Sequence, residues 1–117
     1  MKTSITRAYT VQAAHQLHGL REGHKCGRMH GHNYRIEVTI TGPVTEQGFV
    51  VDAEEIDRWV GSIIMLRLDH RTLNDVIEQP TAENIAAWVF GQCAMAGMPA
   101  SKVRVQENDR LWAEVEA

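Results

Sequence analysis

Across residues 32–40 the chain alternates without a break. Tyr34, Ile36, Val38 and Ile40 fall on one side, and Arg35, Glu37 and Thr39 on the other. A period of two sends successive side chains to opposite faces, so this segment is a strand with one apolar face to bury. Gly42-Pro43 ends it, because proline removes a ladder donor. A weaker version of the pattern runs through residues 4–15, where Ile5, Tyr9, Val11, Ala13 and His15 share a face and Arg7 breaks it. Two long strands with apolar faces need a sheet and something to cover it.

The rest of the chain supplies both. Residues 16–29 carry Gly19, Gly23 and Gly27 among charges and read as a long loop, a kind that is often functional. A short strand is expected at Phe49-Val50-Val51. Asp52 then suits a helix N-cap with Glu55 three residues on, followed by Ile56, Trp59, Val60, Ile63 and Arg67 at helical spacing. A second helix is expected behind Pro80 with Thr81 as N-cap. Its stripe is Ile85, Trp88, Val89 and Cys93, and Gly97 and Pro99 stop it. Two final strands, 102–107 and 110–116, flank the turn Asn108-Asp109, residues that tolerate positive φ. The order strand-strand, helix-helix, strand-strand predicts an α+β domain, with two helices covering one face of a four-stranded antiparallel sheet. Trp112 falls opposite Leu111, Ala113 and Val115, which predicts a second buried surface between subunits.

The chain's 117 residues fit one domain spanning 1–117, without repeat or linker. A net charge of −3 argues against a nucleic-acid partner, since such proteins carry a basic excess. No apolar run approaches membrane-spanning length, and the first residues lack the apolar core of a secretion signal. Cys26 and Cys93 form no CxxC pair, so reduced thiols and a cytoplasmic location are expected. Charge is uneven locally: Arg21, His24, Lys25 and Arg28 form a basic run with Glu22 as the one nearby acid.

His30-Gly31-His32 carries the strongest chemical signal. On an extended segment, residues i and i+2 point the same way and can share one metal. A catalytic zinc uses three protein ligands and keeps a fourth position open; His15, on the apolar face at a strand end, is the third candidate. Cys26 stands four residues before His30. It is either a fourth ligand, closing a structural site, or a nucleophile or base whose thiolate is favoured by Lys25, Arg28 and the metal. Cys93 lies on an apolar stripe and is core. Asp69-His70 pairs a carboxylate with an imidazole, a combination that can relay protons. Glu107 shares a face with Val103 and Val105, where an acid needs a partner: an arginine or a multi-donor ligand.

Taken in order, Ala13-Ala14-His15, Cys26-x₃-His30-Gly31-His32, Leu68-Asp69-His70 with Leu73-Asn74, Pro80-Thr81-x-Glu83-Asn84 and Val105-x-Glu107 resemble the successive motifs of the 6-pyruvoyl- and 6-carboxytetrahydropterin synthases. The resemblance implies a tunnelling fold, in which four-stranded sheets of three subunits close into a barrel and two trimers stack as a homo-hexamer. It implies one Zn²⁺ per subunit held by His15, His30 and His32, with active sites at subunit interfaces. The implied substrate is 7,8-dihydroneopterin triphosphate. Cys26 becomes the thiol that moves protons on the substrate side chain, Asp69 and His70 its relay partners, and Glu107 the pterin anchor. Lys25 and Arg28 are the candidates for the triphosphate. The compact length favours the 6-carboxytetrahydropterin product, made with release of acetaldehyde and triphosphate on the route to queuosine and other 7-deazapurines. A 6-pyruvoyl product is the runner-up, and a non-catalytic zinc-binding module is an alternative of another class. Val11, Ala53 and Asn108 depart from residues common in the family.

Overall fold

The computed structural model describes all 117 residues. Two 13-residue strands, β1 (Thr3–His15) and β2 (His30–Gly42), pair antiparallel in unbroken register from Thr3 opposite Gly42 to His15 opposite His30. A helical rod follows: α1 (Ala53–Ile56), a π-helical segment (Asp57–Gly61) and α2 (Ser62–Leu68). After it come β3 (Arg71–Thr72), α3 (Ala82–Met95), β4 (Lys102–Asn108) and β5 (Leu111–Glu116). The α+β class and the two helices on one face are as expected. The sheet, however, has five strands in the order β3-β1-β2-β4-β5, where four antiparallel ones were expected. The extra strand is two residues long and parallel to β1, too short to leave a period in the sequence.

Val11, Tyr34, Ile36, Val38, Val103 and Val105, the apolar faces of three strands, are all essentially inaccessible. They meet Ile56, Ile64 and Leu68 of the rod and Ile85, Val89 and Cys93 of α3. Each such aliphatic side chain contributes ~1.5–3 kcal/mol relative to exposure. Cys93 is core as expected, and burial pushes its thiol up to about 11.

Three local expectations need correction. Phe49-Val50-Val51 forms no strand; the amide and hydroxyl of Thr45 both donate to the Phe49 carbonyl and fold the segment into a bend. On the rod, the buried stripe is Ile56, Val60, Ile64 and Leu68, while Trp59 and Arg67 face outward. The wider π turns let residues four apart keep one face. The last turn is Asp109-Arg110, because Asn108 stays in β4 opposite Leu111 and its side chain accepts the Arg110 amide at 2.8 Å.

The helix ends follow the sequence closely. Asp52 caps α1 by accepting the Glu54 amide, and Thr81 caps α3 by accepting the Asn84 amide. Gly97 takes φ 74° after α3 while the Met98 amide returns to the Cys93 carbonyl, a Schellman closure. No helix is long and apolar enough to cross a membrane.

Candidate metal centre

Antiparallel register puts His15 directly opposite His30, and Ala13 opposite His32. Directly opposed residues share a sheet face, so all three imidazoles gather at one end of the core face. His15 is fully buried there. Its Nδ1 lies 2.7 Å from the Pro80 carbonyl oxygen, and His30 Nδ1 lies 2.7 Å from that of Arg28. A carbonyl only accepts, so each Nδ1 carries a proton, and in the neutral form of either ring Nε2 is bare and turned inward. Those two Nε2 atoms are 3.0 Å apart. His32 Nε2 is buried with no hydrogen-bond partner.

Three inward lone pairs with nothing to accept from are a poor protein interior and a good metal site. One ligand atom from each histidine lies within 4.8 Å of the others, and two ligands of a tetrahedral zinc are about 3.3 Å apart at ordinary Zn–N lengths. The donor set therefore fits a zinc with an open position. The backbone carbonyls behind His15 and His30 are the outer partners that fix a ligand's tautomer. Tyr34 packs edge-on against His15 and His32, with ring centroids 5.9 and 5.4 Å away.

Glu107 comes in from β4. The β4–β5 register shifts between Gln106 and Asn108, so Glu107 sits in a bulge, a device that re-aims a side chain. Its Oε1 lies 3.8 Å from Nε2 of both His15 and His32, too far for a hydrogen bond but near enough to act electrostatically. Desolvation lowers the His32 pKa, and the Glu107 charge works against that shift. No arginine pairs with Glu107.

Cys26 sits in a one-turn 3₁₀ segment (Lys25–Gly27) and donates its amide to His24 Nδ1 at 3.0 Å. Lys25, Cys26, His30, His32, Glu107 and Leu111 border one cavity of about 420 Å³. Cys26 is outside the group of side chains close enough to share an ion. Arg28, by contrast, borders a separate cavity of about 390 Å³ with His18, Arg21 and His24. Lys25 and Arg28 thus part company.

Asp69 and His70 form a locked pair on the outer edge of β1. Asp69 accepts the Gln12 amide at 2.9 Å on Oδ1 and faces His70 Nδ1 at 2.9 Å through Oδ2. The Gln12 bond, then His70, holds the Asp69 carboxyl below its usual range. His70 adopts φ 55° and donates its amide to the Gln12 carbonyl. Its side chain opens on a cavity of about 490 Å³ bordered by Gln12, Ala14, Gly31, Asn33 and Arg71. Alternation puts Gln12, Ala14, Gly31 and Asn33 on the sheet face opposite the histidines' own. Within one chain, then, Lys25, Cys26, His30, His32 and Glu107 border one cavity, His15 is buried beside it in one group with His30 and His32, and Asp69, His70 and Arg28 lie outside it.

Sequence reasoning missed the Pro80 carbonyl and Tyr34 as partners of the histidines. A backbone carbonyl leaves no mark in a sequence. Tyr34 reads there only as a member of an apolar stripe.

Comparison with known proteins identifies the family and the fold. The family model described as 6-pyruvoyl tetrahydropterin synthase matches residues 4–117. A relative in Archaeoglobus fulgidus, named provisionally as a 6-carboxy-5,6,7,8-tetrahydropterin synthase, is 43% identical over 106 residues, covering 91% of this chain and 89% of its own. The 6-carboxy-5,6,7,8-tetrahydropterin synthase of Synechocystis is 38% identical, covering 81% and 78%. The solved 6-pyruvoyl tetrahydropterin synthase of Caenorhabditis elegans superposes with a TM-score of 0.87 at 25% identity, over 100% of this chain and 96% of that one.

Proposed function

The chain belongs to the 6-pyruvoyl tetrahydropterin synthase family, and we propose that it is a zinc-dependent 6-carboxy-5,6,7,8-tetrahydropterin synthase. Its substrate is 7,8-dihydroneopterin triphosphate, with acetaldehyde and triphosphate released alongside the carboxypterin. The observation that carries this is one cavity bordered by two members of the three-histidine cluster, His30 and His32, by a thiol outside that cluster and by an unpaired carboxylate, with His15 buried behind.

His15, His30 and His32 hold the ion, which when bound polarises the substrate's side-chain hydroxyls and acidifies the neighbouring C–H bonds. Glu107 binds and orients the pterin, because a carboxylate accepts two parallel hydrogen bonds from an amino group and a ring N–H. The Cys26 sulfur takes and returns the side-chain protons. Lys25, beside Cys26, faces the same cavity and draws the triphosphate end toward it, with Arg28 farther along the loop.

His70, paired with Asp69, borders a different cavity from Cys26, so their relay role requires a neighbouring subunit. We therefore propose the trimer barrel and hexamer, with a relay pair from one chain serving the thiol of the next. The uncovered sheet face and the half-exposed Trp112 support that assembly. A cytoplasmic setting with reduced Cys26 and Cys93, and a product that feeds queuosine and other 7-deazapurines, belong to the same proposal.

A second reading, the 6-pyruvoyl product, is favoured by the likeness to the Caenorhabditis elegans structure. The carboxy product is preferred because relatives 43% and 38% identical carry that name. Mass spectrometry of the product made from dihydroneopterin triphosphate, with an acetaldehyde assay, decides between them. A carboxypterin with stoichiometric acetaldehyde is expected. A pyruvoylpterin without acetaldehyde would overturn the first reading, and no turnover by the zinc-loaded protein would overturn both.

A further inference from the structure

Leu73-Asn74 and the residue before Pro80 have so far no part in the chemistry, yet they make a regular pattern of hydrogen bonds. Asn74 Oδ1 accepts the Gln16 amide at 2.9 Å, and Asn74 Nδ2 donates to the Gln16 carbonyl at 2.8 Å. Gln79 repeats the arrangement two residues along: its Oε1 accepts the His18 amide at 2.9 Å and its Nε2 donates to the His18 carbonyl at 2.9 Å. Each side-chain amide thereby satisfies both backbone groups of one residue, as a paired strand would.

The position of this clamp is informative. β3 pairs with β1 only as far as Thr72 opposite Ala14. Asn74 and Gln79 carry the pairing two rungs further, along the edge that residues 16 and 18 present. Asn84 steadies the second rung by donating to the Gln79 carbonyl at 2.8 Å.

Residue 17, facing the other way, meets the cysteine loop. The Leu17 amide donates to the Cys26 carbonyl at 3.0 Å, and Gln16 Nε2 donates to the Gly27 carbonyl at 2.8 Å. The Cys26 amide is held separately by His24. The loop that carries Cys26 is thus zipped to residues 16–17, and the residues to either side of Leu17 are fixed from behind by the Asn74 and Gln79 amides.

We propose that Asn74 and Gln79 are positioning residues for the Cys26 thiol, a surrogate strand of two side chains that sets where the sulfur stands against the histidines and Glu107. The role in turnover rests on the function proposed above; the mechanical link does not. An amide side chain offers a donor and an acceptor on separate atoms, as each rung needs. Displacing a reacting group by about 1 Å costs on the order of 10²-fold in rate, so a clamp remote from the chemistry is felt there.

The test compares zinc-loaded wild type, Asn74→Ala and Gln79→Ala by amide hydrogen exchange and by steady-state kinetics. In both variants the Leu17 amide, which bonds the Cys26 carbonyl, is expected to exchange at least about tenfold faster, with β2 and β4 amides within about twofold of wild type. Zinc content should be unchanged, and kcat should fall by roughly tenfold or more with KM nearly constant. Two results would overturn the proposal. One is faster exchange at Gln16 or His18, the clamped residues themselves, with the Leu17 amide unmoved. The other is a uniform loss of protection across the sheet, which marks a general stabilising role. Gln79→Ala serves if Asn74→Ala does not fold. A wild type without turnover would refute the function proposal and still leave the exchange measurement to judge the clamp.

Discussion

Nε2 of His15 and Nε2 of His30 face each other across 3.0 Å, and the Nδ1–H of each ring donates to a backbone carbonyl on the far side. Two lone pairs held this close repel, and burial of His15 denies them water. The fold therefore builds a place for a cation in advance of binding, and the rigidity of the β1–β2 register prevents the rings from turning away.

One zinc per chain is the expected stoichiometry. His30→Ala or His32→Ala should remove it, because two histidines no longer make a catalytic set. Chelation should also lower thermal stability, since an ion bound only by the native state adds about 2.7 kcal/mol at 100 times its dissociation constant. Full zinc in either variant by elemental analysis would disprove the ligand assignment.

Cys26→Ala separates enzyme from structural module. With the sulfur outside the ligand group, zinc content should survive while turnover falls by roughly 10²–10⁴-fold, the usual contribution of a positioned acid or base. Loss of zinc on this substitution would restore Cys26 as a fourth ligand. Full activity with zinc intact would remove it from the chemistry altogether.

Glu107→Gln should keep both zinc and fold and weaken pterin binding. The amide offers one acceptor where the carboxylate offers two, and a charge-assisted hydrogen bond is worth about 1.5–3 kcal/mol. Titration calorimetry with a non-reacting pterin reads this directly; equal affinity in the two proteins would end the anchor role.

Sedimentation at micromolar concentration should give an oligomer, with the hexamer as the expected species. The molecule measures 56 × 26 × 23 Å, and one whole face of its sheet lacks a covering layer. Trp112, stacked under Arg104 at 4.4 Å, is half exposed on that face. A clean monomer would contradict the barrel and leave Asp69 and His70 without a thiol to serve.

Acid should weaken the protein partly through Asp57. Arg7 grips this carboxylate with two bonds of 2.9 and 2.8 Å, and the Tyr9 hydroxyl donates at 2.7 Å. These bonds hold the Asp57 carboxyl below its usual range. A depressed carboxyl pKa stabilises the fold above the unfolded value, and that contribution is lost as pH falls through the folded one. The side chains are well exposed, so the effect is modest. Chemical denaturation should show wild type above Asp57→Asn by a constant margin from about pH 5 to 8, closing below about pH 3. An undiminished margin at the acid end would assign the difference to packing.

Much of this protein is legible in its sequence. The alternation across Tyr34, Ile36, Val38 and Ile40 fixes a strand face because the pleat has a period of two, whatever surrounds it. Thr81, Gly97 and Asp52 mark helix ends through local hydrogen bonds, and His30-Gly31-His32 marks a pair of side chains able to share a metal because i and i+2 on a strand point together. Arg7 interrupts its stripe at the point where the strand leaves the core to hold Asp57.

The remainder depends on contacts between residues far apart in the chain. β3 exists because the Asp69-His70 turn bonds both backbone groups of Gln12. Gly61 must be glycine because a Cβ there would lie 2.6 Å from the Tyr9 ring. Lys25 and Arg28 look equivalent in sequence, but a single 3₁₀ turn sends them to different cavities. The same holds for the separation of His70 from Cys26. Sequence determined which residue types and local geometries were available, since propensity and period act over a few residues. Which of them face one another was decided by register, bulge and loop closure, and those are properties of the whole fold.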